Sequence, residues 1–260
     1  MLRSTVRRLV KAARAPERAL LRTIFRSRLH RQDPAQERTR LMQALAAGWG
    51  VDGDVLSGEY HRSEFARWTA GRRQELEGFA GPRRGGTSSD FSCEALYLLV
   101  RAARPSVVVE TGVLYGASSA HILAALAQNG SGELYSIDLG CPPGEPSHDF
   151  LVPPDLTSRW TYIRGNVREE LPPLLARLGQ IDMFNHDSLH TYENMTWEYE
   201  RAFDHLRPGG VLSSHDVLLV HSLGRLFRPN AFPAFCRRHG LPWTTFGNSG
   251  FTVMPSESMA

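Results

Sequence analysis

The sequence has 260 residues, of which 42% are hydrophobic, 22% charged and 9% aromatic, with a formal net charge of +3. These values suit one folded domain with an extension, or two small domains, and exclude global disorder, collagen-like repeats and a coiled coil. Three scattered cysteines, Cys93, Cys141 and Cys236, build neither a disulfide framework nor a four-cysteine zinc site, and no run of about 18 apolar residues offers a spanning helix.

The charge is unevenly spread. Residues 1–40 hold eleven Arg and Lys11 against Glu17, Asp33 and Glu37, a net of +9, so the remainder carries −6. Leu2, Val6, Leu9, Val10 and Ala13 follow helical spacing, and Leu20, Leu21, Ile24 and Phe25 start a second amphipathic turn after Pro16. The expected element is a basic helical arm packed on the domain or on a second subunit, with contact to a membrane surface as the alternative. No uninterrupted apolar stretch follows the early arginines, which speaks against a secretory signal; a mitochondrial transit peptide shares the Arg-rich, acid-poor look.

Residues 34–90 read as further helix broken at Gly48, Gly50 and Gly53, and 81–90 as a turn-rich linker. The expected boundary therefore falls at residue 80, with an extension over 1–80 and a domain over 81–260. A helix over 91–103, capped by Ser88, Ser89 or Asp90, stops at Pro105. Short apolar runs then alternate with amphipathic helices: strands at 106–111, 133–138, 160–166, 181–187 and 211–216, and helices at 118–128, 168–179, 192–206 and 231–240. Two last runs, 242–247 and 250–255, are placed to pair antiparallel. The pattern predicts an α/β fold: a Rossmann-like seven-stranded, mostly parallel sheet with helices on both faces, plus the helical N-terminal extension.

The first strand ends at Glu110 and runs into a turn holding Gly112 and Gly116, followed by a helix N-terminus. Glycines there let the backbone bend sharply and approach a ligand, and the helix start supplies free N–H groups. The spacing is neither G-x-G-x-x-G nor a phosphate loop, and a tight turn without a ligand is the plain alternative. Asp138, at the end of the second strand, suits both ribose hydroxyls of an adenosine, or a helix cap. Asp187 closes the fourth strand and His190 follows in the loop. Asn185 and His186 lie inside that strand, where a central parallel strand should be apolar. His186 either lines a pocket or pairs with Asp216 or Asp187. The loop over 140–159, with five prolines, is stiff and non-helical; its position suggests a lid, or else an ordinary surface insertion.

Taken in order, Glu110-x-Gly112-x-x-x-Gly116, Tyr135-Ser-Ile-Asp138, Arg164-Gly165-Asn166, Asp187-x-x-His190, Leu206-Arg-Pro-Gly-Gly210 and His215-Asp216 resemble the class I S-adenosylmethionine-dependent methyltransferases. More narrowly, they resemble the sugar and small-molecule O-methyltransferases of the macrocin and mycinamicin type and the cephalosporin-hydroxylase-like proteins. The resemblance covers about residues 88–255. It implies an S-adenosylmethionine donor, with Glu110, Gly112, Tyr115, Gly116 and Ser118 at its methionine end. It further implies Asp138 at the ribose, Gly165 and Asn166 at the adenine, and Asp187 close by; the family more often has Asp where this chain has Asn166. It makes His190 the general base, because a hydroxyl must lose its proton as it attacks the methyl and imidazole titrates near neutrality. Asp187, His215 and Asp216 become the candidate ligands of Mg²⁺ or another divalent metal. His215 stands where metal-dependent relatives often have a second acid, which tilts selectivity toward a transition ion and leaves metal dependence open.

The implied partner is a small hydroxylated acceptor, in a cytoplasmic protein expected to be a homo-oligomer. A methyltransferase fold that binds donor without turnover is one rival. A nucleic-acid methyltransferase is the weaker rival, since the Asn/Asp-Pro-Pro-aromatic tetrad of base amino-group methylation is missing from the sequence.

Overall fold

In a computed structural model, which describes residues 33–79, 88–218 and 230–256, a seven-stranded sheet runs in the order β3-β2-β1-β4-β5-β7-β6. The strands are β1 (Val107–Thr111), β2 (Glu133–Asp138), β3 (Trp160–Arg164), β4 (Ile181–His186), β5 (Leu206–His215), β6 (Trp243–Phe246) and β7 (Ser249–Val253). β1 to β5 are parallel, and β7 enters antiparallel between β5 and β6. The sequence-predicted sheet and its final antiparallel pair are therefore as expected. The helices of the basic arm, and residues 81–87 of the linker, lie outside the described residues.

Period-two alternation sorts the core. Val108, Leu134, Met183 and Val211 face one layer, with α4 (Asp90–Ala103) and α5 (Ala117–Asn129). Val109, Ile137, Phe184 and Leu212 face the other, with α6 (Val167–Leu178), α7 (Tyr192–Phe203) and α8 (Ala231–Arg238). One residue further along each strand, the apolar rows give way to polar ones. Glu110 is in register with Ser136 and Asn185, and Asn185 with Ser213; Thr111 pairs with His186, and His186 with Ser214. The polar residues that seemed out of place in the fourth strand thus belong to two rows crossing the sheet's C-terminal end, one on each face.

Three helices precede the expected domain boundary: α1 (Pro34–Trp49), α2 (Gly53–Arg62) and α3 (Glu64–Glu77). Asp33 caps α1 by accepting from the Ala35 N–H, and Pro34 is preorganised for the first turn. Leu41, Leu45 and Tyr60 are buried in the same cluster as α4 and α5. Glu37 accepts from the Gly247 N–H at 3.1 Å, and Arg38 and Ser57 both donate to Glu94 on α4. Residues 34–77 therefore pack as part of the domain and complete one face of the sheet. Among the described residues, no helix is long and apolar enough to cross a membrane.

The proline-rich loop does not form the suggested lid. It folds behind the glycine turn: Leu151 N–H donates to the Tyr115 carbonyl, Tyr115 Oη donates to Glu145, and the His148 ring stacks on Tyr162 at 3.7 Å. Its prolines fix stiffness but not direction, and Tyr115 with Leu151 supplies an apolar anchor away from the crevice.

Candidate active site

A cavity of about 530 Å³ opens at the C-terminal ends of β1, β2 and β4, beside the point where strand order reverses. Both its size and its place are those of a ligand site in an open α/β sheet. Gly112, Ser118, Asp138, Asn166 and Asp187 line it, as the sequence reading placed them. Glu110, Tyr115, Gly116 and Gly165 are not on the wall.

Two of these four have clear reasons. Tyr115 is buried in the apolar cluster with Leu76 and Leu151. Glu110 lies wholly beneath the turn, accepting from Ser119 Oγ at 2.5 Å, Ser136 Oγ at 2.8 Å and, more distantly, Asn185 Nδ2. Burial pushes its pKa up to about 7, against the pull of the Ser118, Ser119 and Ser136 hydroxyls. Glu110 therefore supports the turn from below. The turn needs its glycines: Gly112 has φ 85°, and a Cβ there would meet the Asp187 carbonyl at 2.1 Å. At Gly116, also φ 85°, a Cβ would strike the His148 carbonyl at 2.6 Å.

Asp138 accepts from Val113 N–H at 2.8 Å, Leu114 N–H at 3.3 Å and Gly140 N–H at 2.6 Å, which holds its carboxylate at the crevice. Asn166 caps α6 through the Arg168 N–H, so its Oδ1 is already partly engaged. Leu139 and Leu189 are 69% and 62% exposed and both line the cavity. Two solvent-facing leucines on one pocket are the apolar surface a flat ring needs. Sequence reasoning missed them, and also missed Ser88, which lines the cavity and donates to Asp187 Oδ2 at 2.8 Å.

Asp187 Oδ1, His190 Nε2 and His215 Nδ1 converge, all within 4.8 Å of one another. His215 Nδ1 is 3.1 Å from Asp187 Oδ1, and His190 Nε2 is 3.4 Å from the same oxygen. Of the expected Asp187, His215 and Asp216 set, Asp216 is not in this group, although its carboxylate lies 3.7 Å from His215 Nδ1. Its carboxylate takes a hydrogen bond from Asn248 Nδ2 and lies 3.3 Å from His190 Nδ1. Two carboxylates thus face the two nitrogens of His190. His190 Nε2 is buried without a hydrogen-bond partner, 3.4 Å from Asp187 Oδ1. His190 is not itself on the wall of the large cavity.

Burial alone would raise the Asp187 pKa, but the His215 charge, with contacts from His190 and His215, holds it far below the usual carboxylate range. Burial would lower the His215 pKa, but Asp187, and then Asp216, raise it to about 9. The His215 contribution to stability is complete below its ordinary value of about 6.5 and is lost as pH rises through about 9. The Asp187 contribution is present above about 3.9 and lost only as pH falls below it. With chelator present, thermal stability is therefore expected to drop between pH 6.5 and 9, by about 1–3 kcal/mol. His215→Gln should flatten that limb in melts across the pH series; an unchanged slope would show that the ion pair does not form.

A seven-stranded sheet in this order, with its crevice at the reversal point, defines the class: the chain has the class I methyltransferase fold. A family model described as a methyltransferase domain matches residues 109–217. Similar solved structures include the O-methyltransferase TomG of Streptomyces achromogenes, involved in tomaymycin synthesis and solved with S-adenosylmethionine. The likeness covers 73% of this chain and 89% of that one, at 20% identity and a TM-score of 0.55. An O-methyltransferase from Bacillus cereus bound to S-adenosylhomocysteine shares 15% identity over 76% of this chain and 97% of its own, with a TM-score of 0.52. The methyltransferase PaMTH1 of Podospora anserina, also bound to S-adenosylhomocysteine, shares 11% over 78% and 95%, with a TM-score of 0.54. No curated protein sequence matches the chain.

Proposed function

We propose that this protein is an S-adenosylmethionine-dependent O-methyltransferase acting on a hydroxyl of a small natural product or sugar. The observation that carries the reading is the His190 ring, set between Asp187 and Asp216 next to a donor-sized crevice, with Nε2 buried and without a hydrogen-bond partner. In this reading Gly112, Ser118, Ser88 and Asp187 take the methionine end of the donor. Asp138 takes the ribose, and Asn166 with Leu139 and Leu189 takes the adenine. His190 accepts the hydroxyl proton on Nε2, while Asp216 orients the ring from Nδ1.

A second reading is favoured by the convergence of Asp187 Oδ1, His190 Nε2 and His215 Nδ1: these atoms would hold a divalent cation. Bound there, the ion would acidify the acceptor hydroxyl and orient it. The donor set fits, since His190 Nε2 has no hydrogen-bond partner to give up; His215 Nδ1 must give up the proton it shares with Asp187. Two imidazoles and one carboxylate suit a transition ion better than magnesium.

The reading without turnover loses one of its two motives, because Asn185 and His186 are accounted for by their hydrogen bonds to Glu110 and Glu198, while the second acid at position 215 is still missing. The deciding experiment incubates the protein with labelled donor and a panel of glycosides, phenols and hydroxylated lipids. Magnesium, manganese and chelator are run as separate arms. Label on an acceptor oxygen supports the proposal, and a chelator effect on turnover without one on donor binding selects the metal reading. Donor binding with no transfer to any hydroxyl class counts against it.

Asp138→Ala should weaken S-adenosylhomocysteine by about 1–3 kcal/mol, the scale of lost charge-assisted hydrogen bonds. Titration calorimetry reads this directly, and an unaltered affinity would remove Asp138 from the donor seat.

A further inference from the structure

Glu198 is a carboxylate in the middle of α7 with no solvent exposure. Burial alone would raise its pKa; the charge of His186 and hydrogen bonds from His186, Ser188 and Thr111 outweigh this and keep it ionised. Both oxygens are doubly occupied. Oε2 accepts from Thr111 Oγ1 at 2.5 Å and from His186 Nδ1 at 2.8 Å. Oε1 accepts from Ser188 Oγ at 2.6 Å and from Asn194 Nδ2 at 2.6 Å. An ionised carboxylate has about four acceptor sites, so this one is saturated.

The four donors are placed in a telling way. Thr111 immediately precedes Gly112 of the turn. His186 immediately precedes Asp187, and Ser188 immediately follows it. Asn194 Nδ2 also reaches the Leu189 carbonyl at 3.1 Å. One buried side chain on α7 therefore ties the end of β1 to the end of β4 and to the loop over 187–190. Glu198 can only accept, so His186 Nδ1 carries a proton and donates it; the other ring nitrogen is Nε2. That Nε2 is buried without a partner, and the His186 ring meets the His190 ring edge-on, centroids 5.3 Å apart.

We infer that Glu198 is a positioning residue which, through His186, Ser188 and Asn194, sets the 187–190 loop against the glycine turn and so fixes both the Leu189 wall and the His190 ring. The ligand-based half of the test rests on the donor seat proposed above; the other half needs no ligand. Glu198→Gln keeps the shape but replaces one acceptor by a donor, so the four incoming hydrogens cannot all be satisfied. Thr111 and His186 can adapt only by turning a hydroxyl or moving the ring proton to Nε2. The loop is then released from one of its two anchors.

Titration of wild type and variants with S-adenosylhomocysteine should show Glu198→Gln about tenfold weaker, a loss within the usual range for coupled neighbours. Combined with Leu189→Ala, the losses should be non-additive, the double variant binding about as Glu198→Gln alone. Combined with Asp138→Ala, which makes no contact with this network, they should multiply. General destabilisation would not distinguish the two pairs. In parallel, nitrogen-15 imidazole spectra of the ligand-free protein should show His186 protonated on Nδ1 in wild type. The His190 signals should move in Glu198→Gln. Losses that multiply with Leu189→Ala, or His190 signals unmoved in a folded Glu198→Gln, would overturn the inference. A wild type that fails to bind S-adenosylhomocysteine would count against the donor seat, and the spectra would then decide the positioning role alone. If Glu198→Gln does not fold, Asn194→Ala removes one spoke and the Leu189 carbonyl contact, and is read by the same two measurements.

Discussion

A chain starting near residue 80 is expected not to fold. The sequence reading makes residues 1–80 a separable extension, because the charge steps from basic to acidic and 81–90 is rich in turn residues. The packing argues the opposite for 34–77. Leu41 and Leu45 have no exposed surface, and with Tyr60 they cover Leu96 and Tyr97 of α4. Deletion would also strand polar groups. His121 is buried, with burial pushing its pKa down to about 3, and its Nε2 is matched to Tyr60 Oη at 2.9 Å. Its Nδ1 is committed to the Ala117 carbonyl, so Nε2 is left unpaired once α2 is gone. Glu94, 7% exposed, would lose Arg38, Ser57 and His61 together. A buried carboxylate stripped of its partners is among the costlier lesions in a fold. The truncated chain should be insoluble or lack a cooperative melt, whereas Leu45→Ala in the full chain should fold but lose about 2–5 kcal/mol. A soluble, cooperatively melting 80–260 chain that binds S-adenosylhomocysteine would show that the first three helices are dispensable.

That boundary, placed on charge and turn residues, shows where local patterns stop informing. Period-two runs and helical spacing reveal strands and helices, and their order gives the sheet, because both patterns are local. Net charge says nothing about which face of α1 is buried, since Leu41 and Leu45 are only two residues among charged neighbours. The same limit applies at the site. Gly112, Asp138, Asp187, His190 and His215 stand at strand ends, where the fold must place them near the crevice. Glu198 is different. It falls on the buried face of α7 with Met195, Tyr199 and Ala202, and a charge on that face was a visible signal that a partner had to exist. That the partner is His186, and not Asp187 or Asp216, depends on how α7 sits on β4, which no local pattern encodes. Leu139 and Leu189 were invisible for the opposite reason: an exposed leucine is ordinary until two of them face the same cavity.

His190→Ala should lower kcat by about 10²–10⁴-fold on the acceptor found by the labelled-donor panel, the usual scale for a general base. Two features of the surroundings make it the residue to remove. Asp216 lies on its Nδ1 side, and a proton held there leaves Nε2 unprotonated and oriented. Asp187 on the Nε2 side repels any other lone pair and favours an arriving hydrogen or cation. Donor affinity should stay within a few-fold, because Asp187, the proposed donor contact that touches His190, is still held by Ser88 and His215. Asp216→Asn should separate the two readings of the cluster. If His190 is the base, an amide donating toward Nδ1 forces the proton onto Nε2 and costs kcat nearly as much as losing the ring. If His190 is a metal ligand, the same substitution weakens the metal, and added zinc or manganese restores much of the rate. A His190→Ala enzyme with near-normal kcat, under chelator and in its absence, would remove His190 from both roles.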